Sequence, residues 1–145
     1  MATSSVVVSN APRRQNPPID REKVCPLLLR VFTKLDSHHR PEEFQEAGRE
    51  PEDEVQIYTW RDATLRELSD LIKEVNPMAR RRDARLSFSL IYPNTRGRYV
   101  SKHLGITQPY RRGEDDKKTL DDVHFVTGDY LDVAILLGPA LGLGR

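Results

Sequence analysis

The chain of 145 residues predicts an α+β fold: a mixed five-stranded sheet with one main helix on one face and extended loops. Three observations lead there. Short apolar or alternating segments recur at strand length, a single segment carries a helical apolar stripe, and the most apolar strand candidates are the first and the last. A chain this long supports one domain whose core needs no disulfide.

Residues 1–18 are rich in Ser, Asn and Pro, with Pro12, Pro17 and Pro18 and no periodicity, so a flexible N-terminal arm is expected. The folded domain is expected over 19–137, and 138–145 (GPALGLGR) as a flexible tail. Residues 27–33 (LLLRVFT) make a compact apolar run behind Pro26, the first strand. Residues 35–53 are charged, contain Pro41, Gly48 and Pro51, and are long for a connection. They are either a functional acidic insertion or a mobile loop. Residues 55–60 (VQIYTW) alternate, Val55, Ile57 and Thr59 facing one way and Gln56, Tyr58 and Trp60 the other.

The helix begins after Thr64, whose hydroxyl caps the first turn while Glu67 reaches back, a T-x-x-E capping box. Leu65, Leu68, Leu71, Ile72 and Val75 form its buried stripe. Asn76-Pro77 ends it, because proline disfavours α geometry in the residue before it. Residues 86–92 (LSFSLIY) are the third strand, with Leu86, Phe88 and Leu90 on one face, and a weaker fourth runs near 99–104. Gly128-Asp129 turns the chain into the last strand, 130–137, with Leu131, Val133, Ile135 and Leu137 in phase. First and last strands side by side at the centre of such a sheet make the β-grasp, or ubiquitin-like, arrangement.

Hydrophobic residues at 37% and charged residues at 31% suit a globular protein with a charged exterior. The longest apolar run, 131–137, is broken by Asp132 and too short for a membrane span, and residues 1–10 lack the basic start of a secretory leader. The lone Cys25 excludes an internal disulfide and points to a reducing, intracellular compartment. Beside Pro26 it is expected as a small buried hydrophobe. The net charge of +1 conceals a polarity along the chain. Residues 36–54 hold eight acidic residues against Arg40 and Arg49, whereas residues 80–112 hold nine basic residues against Asp83.

No catalytic constellation assembles. His38, His39, His103 and His124 lack companion ligands at metal spacing and are expected as exposed loop residues. There is no G-x-S-x-G elbow and no phosphate-cradling glycine loop, and Asp115-Asp116 and Asp121-Asp122 are expected as solvated carboxylates. No cofactor or metal is expected. A conjugated modifier would end in Gly-Gly, and 143–145 read Leu-Gly-Arg, so that role is not expected.

Two surfaces are candidates for binding. Arg80, Arg81, Arg82, Arg85, Arg96, Arg98, Lys102, Arg111 and Arg112 run alongside Phe88, Tyr92, Tyr99 and Tyr110. This stretch is open to three readings: direct RNA contact, a solvated rim answering the acidic insertion, or a site for an acidic or phosphorylated segment. On the sheet, alternation puts Leu28, Phe32, Tyr58, Trp60, Tyr130 and Leu136 on the face away from the helix. That face is either a partner site or covered by the arm or the insertion. The candidate contact residues are Phe32, Tyr58, Trp60, Tyr130, Arg96, Arg98, Tyr99, Arg111 and Arg112.

Three segments in order, IDREKVCPLLLRVF (19–32), QIYTWRDATLREL (56–68) and GDYLDVAI (128–135), resemble the eighteen-kilodalton polypeptide family associated with the Sin histone-deacetylase corepressor. The likeness spans about 18–137, and 35–53, 105–118 and both ends depart from the pattern. The resemblance implies a ubiquitin-like fold, no enzymatic activity, and a non-enzymatic adaptor joining nuclear assemblies. The partners it implies are the Sin corepressor with its histone deacetylase, and Acinus or pinin with an RNA-binding serine-rich splicing protein linked to the exon junction complex. RNA contact would be indirect or weak and no membrane would be involved. Localisation would be nuclear, with nuclear speckles as a candidate site and some cytoplasmic pool.

Overall fold

The first and last strands of the domain lie side by side and parallel, which only a long crossover connection allows. The structure is a computed structural model and describes residues 19–138. The expected arm 1–18 and the tail residues 139–145 lie outside the described residues. The elements are β1 (Leu27–Leu35), β2 (Glu54–Thr59), α1 (Leu65–Val75), β3 (Arg85–Pro93), β4 (Tyr99–Thr107) and β5 (Tyr130–Leu136). They form a five-stranded sheet in the order β2-β1-β5-β3-β4, with β1 and β5 parallel and the other pairs antiparallel. This is the β-grasp order expected from the sequence.

The strand phases hold. Leu29, Val31, Ile57, Leu86, Phe88, Leu90, Leu131, Val133 and Ile135 point to one face and form the main core with Leu65, Leu68 and Ile72 of α1. Full burial of such aliphatic side chains contributes roughly 1.5–3 kcal/mol each before conformational entropy is counted. The fourth strand is longer than expected, ending at Thr107, and its pairing with β3 slips one residue between Phe88 and Ser89. Gly105 sits at that irregularity because a Cβ there would lie 2.6 Å from Cγ of Asp115. The Asp115 carboxylate needs that space to accept from Ile106 N at 3.0 Å.

Helix α1 departs from its expected form at three points. Thr64 Oγ1 accepts from Glu67 N at 3.0 Å, as a cap should, but the Glu67 carboxylate does not reach back. It accepts instead from Arg21 at 2.8 Å, because an arginine fork outcompetes a single backbone N–H. Val75, expected in the stripe, is exposed at the helix end, where Asn76 turns extended. Ser69, not expected inside, is buried, donating to Leu65 O at 2.8 Å and meeting Thr107 Oγ1 at 2.6 Å across the α1–β4 contact.

Two substitutions test this reading. Leu68→Ala should lower unfolding free energy by about 2–5 kcal/mol in urea titration. Thr64→Ala, which removes only the cap, should lower it by about 1 kcal/mol. Equal losses from the two would contradict the placement of Leu68 in the core.

Candidate functional site

The face of the sheet away from α1 is where the sequence leaves the choice between partner and self-coverage. The insertion decides it for the middle of that face. After β1 the chain turns through Asp36, held at φ 66, and runs back across the strands to a 3-10 turn, Pro41–Phe44. Phe44 is buried there with Phe32, Ile91 and Tyr130 in a second hydrophobic cluster. Its ring centroid lies 5.0 Å from those of Phe32 and Tyr130, edge-on to the first and stacked on the second. Edge-to-face and offset geometries are the favourable ones for aromatic pairs.

Beside this cluster the carboxylate of Asp132, on β5, is 0% exposed. His38 Nδ1 donates to Asp132 Oδ2 at 2.6 Å, and His39 Nδ1 donates to Asp132 Oδ1 at 2.6 Å. His39 N adds a third bond, to Oδ2, at 3.0 Å. Ser87 Oγ lies 3.0 Å from His38 Nε2 and completes a chain of serine, imidazole and carboxylate. That connectivity is the one used by serine nucleophiles. Here Ser87 is buried within β3 and the same carboxylate holds a second imidazole, so the chain fastens the insertion to the sheet. His38 is half-buried and His39 buried, which corrects the expectation that both are exposed loop residues; His103 and His124 are exposed as expected.

The insertion is tied down a second time at the β1–β2 end. Arg30 donates to Glu54 at 2.9 Å and lies 3.5 Å from Glu50, and the Tyr130 hydroxyl donates to Glu50 at 3.1 Å. The Arg30 guanidinium, with help from Gln56, holds the Glu54 carboxyl below its ordinary value. Backbone N–H groups of Glu50 itself and of Gly48, followed by the Tyr130 hydroxyl and Arg30, hold Glu50 low as well. Burial, and then the neighbouring Glu50, push the Tyr130 phenol up to about 12. Asp129, at the entrance to β5, is shifted the other way, because burial raises its carboxyl more than its bond from Val126 N lowers it.

The candidate contact residues therefore separate. Phe32 is 0% exposed and Tyr130 buried, which corrects the expectation that they lie on an open face: the insertion folds over them. Tyr99 is half-buried, stacked on Tyr130 at 5.8 Å. Trp60 is half-buried, with Arg21 over its ring at 4.9 Å and its Nε1 donating to Val24 O at 2.7 Å. Its indole thus anchors the segment that precedes β1. Tyr58 remains open at 68% exposure. Arg96, Arg98, Arg111 and Arg112 are all exposed.

The basic stretch divides as well. Arg96 and Arg98 sit on the β3–β4 hairpin, where Gln45 of the insertion accepts from Tyr99 N and donates to Gly97 O. Arg82 and Tyr110 meet at the opposite end of β3, about 27 Å away for a strand of this length. Among the described residues no arginine of 80–112 lies within ion-pair distance of a carboxylate of the acidic insertion. The insertion's carboxylates are met by Arg30 and by His39, Arg40 and Arg49 of the insertion itself.

Two expected features of the loops are also corrected. Cys25 is exposed: it precedes the start of β1 by two residues, before the strand carries the chain into the core. Asp116 is buried, 3.7 Å from Arg66, where the sequence suggested a solvated carboxylate. A cavity of about 410 Å³ opens on the helix side, lined by Leu90, Tyr92, Pro93, Lys102, Val123, His124, Val126 and Asp129. Among the described residues no group of His, Cys, Asp and Glu is arranged to hold a metal ion, and no helix is long and apolar enough to cross a membrane.

Comparison with known proteins adds a second kind of observation. The model of one family, described as Sin3 associated polypeptide p18 (SAP18), matches residues 18–135. An Arabidopsis thaliana protein named histone deacetylase complex subunit SAP18 is 58% identical over 131 residues, 88% of this chain and 86% of that protein. A Homo sapiens protein of the same name is 47% identical over 138 residues, 93% of this chain and 90% of that protein. Among solved structures, the C-terminal ubiquitin-like domain of mouse tubulin-specific chaperone e aligns with a TM-score of 0.40 at 11% identity, covering 81% of this chain and 91% of that one.

The fastening of the insertion gives two expectations. Phe44→Ala should cost about 3 kcal/mol and expose the amides of residues 36–53 to hydrogen exchange while β3–β5 stay protected. Unchanged protection of the insertion would show that Phe44 does not hold it. The second concerns acid. Glu54 has a lowered folded-state value, so its stabilisation is complete above the ordinary value of 4.5 and is lost as pH falls through the folded value. Urea midpoints should therefore drop below about pH 4.5, and Glu54→Gln should flatten that drop. An unaltered profile in Glu54→Gln would remove the Arg30–Glu54 pair as its source.

Proposed function

The chain belongs to the Sin3 associated polypeptide p18 (SAP18) family, and on that premise we propose that it is a non-enzymatic binding subunit of a histone deacetylase corepressor complex. The observation that carries this reading is the likeness to proteins named as such subunits, which runs through the folded domain from β1 to β5. The finer reading is an adaptor that also joins splicing and exon-junction assemblies through Acinus or pinin and an RNA-binding serine-rich protein. Its place of work is the nucleus, with speckles included and some cytoplasmic pool. The resemblance of the three sequence segments supports this part.

The surface we assign to partner contact is the free edge of β2. Thr33 N donates to Asp53 O at 3.1 Å, which sets the alternation of the β1–β2 ladder. By that alternation Val55, Ile57 and Thr59 direct their main-chain groups at β1, and Gln56 and Tyr58 direct theirs outward. An extended partner segment can add as a further strand there, with main-chain bonds supplying affinity and the exposed Tyr58 ring an anchor. Phe32 and Tyr130 lie beneath the insertion and are not part of this surface.

Affinity purification of the tagged chain tests both layers. Deacetylase-complex proteins should co-purify with the wild type, and Tyr58→Ala should reduce their recovery about fivefold or more with an unchanged melting curve. Full recovery of every partner by a folded Tyr58→Ala chain removes the β2 edge as the contact surface. A wild-type chain that brings down no deacetylase component removes the subunit reading itself.

A further inference from the structure

Of the four aromatic side chains in the basic stretch, three are committed to the interior. Phe88 is buried in the main core, Tyr92 packs against it half-buried, and Tyr99 is stacked on Tyr130. Tyr110 alone among them is open, at 73% exposure. It lies just beyond the end of β4, in a loop that α1 holds in place: Arg66 donates to Gln108 O at 2.7 Å and to Pro109 O at 3.3 Å. The backbone leading into the ring is therefore anchored to the helix.

Around that ring the charge is of one sign. The Arg82 guanidinium stands 5.7 Å from the Tyr110 ring centroid, and Arg111 and Arg112 follow Tyr110 directly in the chain. Among the described residues none of these three arginines has a carboxylate within ion-pair distance, whereas neighbouring Arg81 is taken by Asp83. An exposed ring with Arg82 over one side, and guanidinium groups that have no carboxylate partner around it, offers its other side as a stacking surface for a base and counter-charges for the adjoining phosphates. A site for a phosphorylated peptide differs in kind. It gathers arginines around one phosphate and needs no open ring.

We propose that Tyr110, with Arg82, Arg111 and Arg112, is a binding platform for single-stranded RNA. It lies away from the β2 edge and does not depend on the corepressor reading. Arg96 and Arg98, at the far end of β3, are not part of it.

Fluorescence anisotropy of the full chain with a labelled single-stranded RNA of about ten nucleotides, over a salt series, tests the platform. Three phosphate contacts give a slope of log affinity against log salt of about −2, at roughly 0.7 per contact. Tyr110→Ala should weaken binding about fivefold or more at unchanged slope, since it removes stacking and leaves the charges, and Tyr110→Phe should retain it. The triple change Arg82→Ala, Arg111→Ala, Arg112→Ala should bring the slope close to zero, and Arg96→Ala with Arg98→Ala should leave both quantities as they are. No binding at low salt overturns the proposal. So does a Tyr110→Ala chain that binds like the wild type, which reduces the patch to a polyanion attractor. A doubly phosphorylated peptide that displaces the RNA at lower concentration than unlabelled RNA makes it an acidic-peptide site and overturns it as well.

Discussion

Asp132 places a carboxyl group in the middle of a sheet face that would otherwise be open and apolar. Water would satisfy it on a bare sheet, but with the insertion in place it is fully buried, and a buried carboxylate without partners costs several kcal/mol. Three donors from His38 and His39 meet it. These donors come only from the insertion, so covering the face and satisfying the carboxyl oxygens are one event. The aromatic cluster of Phe32, Phe44 and Tyr130 gains its burial from the same closure. One carboxylate on β5 thus decides where a long loop ends and which surface is left for others.

What is left follows from that closure. The sheet has α1 on one side and the insertion over the middle of the other, so the groups left open lie at the edges and loops. The β2 edge keeps outward main-chain groups and Tyr58. The β4 edge is more occupied, with Gln45 meeting Tyr99 N at one end and Asp115 meeting Ile106 N at the other. Natural sheets often protect one edge while leaving another usable. The arginines form two groups because β3 is a nine-residue strand, and its two ends cannot serve one ligand at once.

The readings of polar groups that failed share a cause. The histidines looked like loop residues because nothing nearby in sequence could engage them, and their partner Asp132 lies more than ninety residues away. Asp116 looked solvated for the same reason, its Arg66 being on the helix. Glu67 was assigned to its own helix cap, where local rules put it, and a distant Arg21 took it instead. Ser69 interrupts an apolar stripe only on paper, since Thr107 across the interface satisfies its hydroxyl. In each case a polar group's partner is set by how the chain folds back, which local pattern does not carry.

Period and punctuation are local, and for that reason the sequence alone determined the strands, the helix with its Thr64 cap and Asn76-Pro77 stop, the inward phase of the strand positions, and the β-grasp order. Each depends on residues within one or two turns or on strict alternation. Only the tertiary structure decided which aromatics remain available. Phe32, Tyr58 and Tyr130 share one phase, yet the fold of a nineteen-residue insertion, fastened at Asp132, buries two of them and leaves the third exposed. Burial of a side chain is a property of what lies above it, and what lies above it here was brought from elsewhere in the chain.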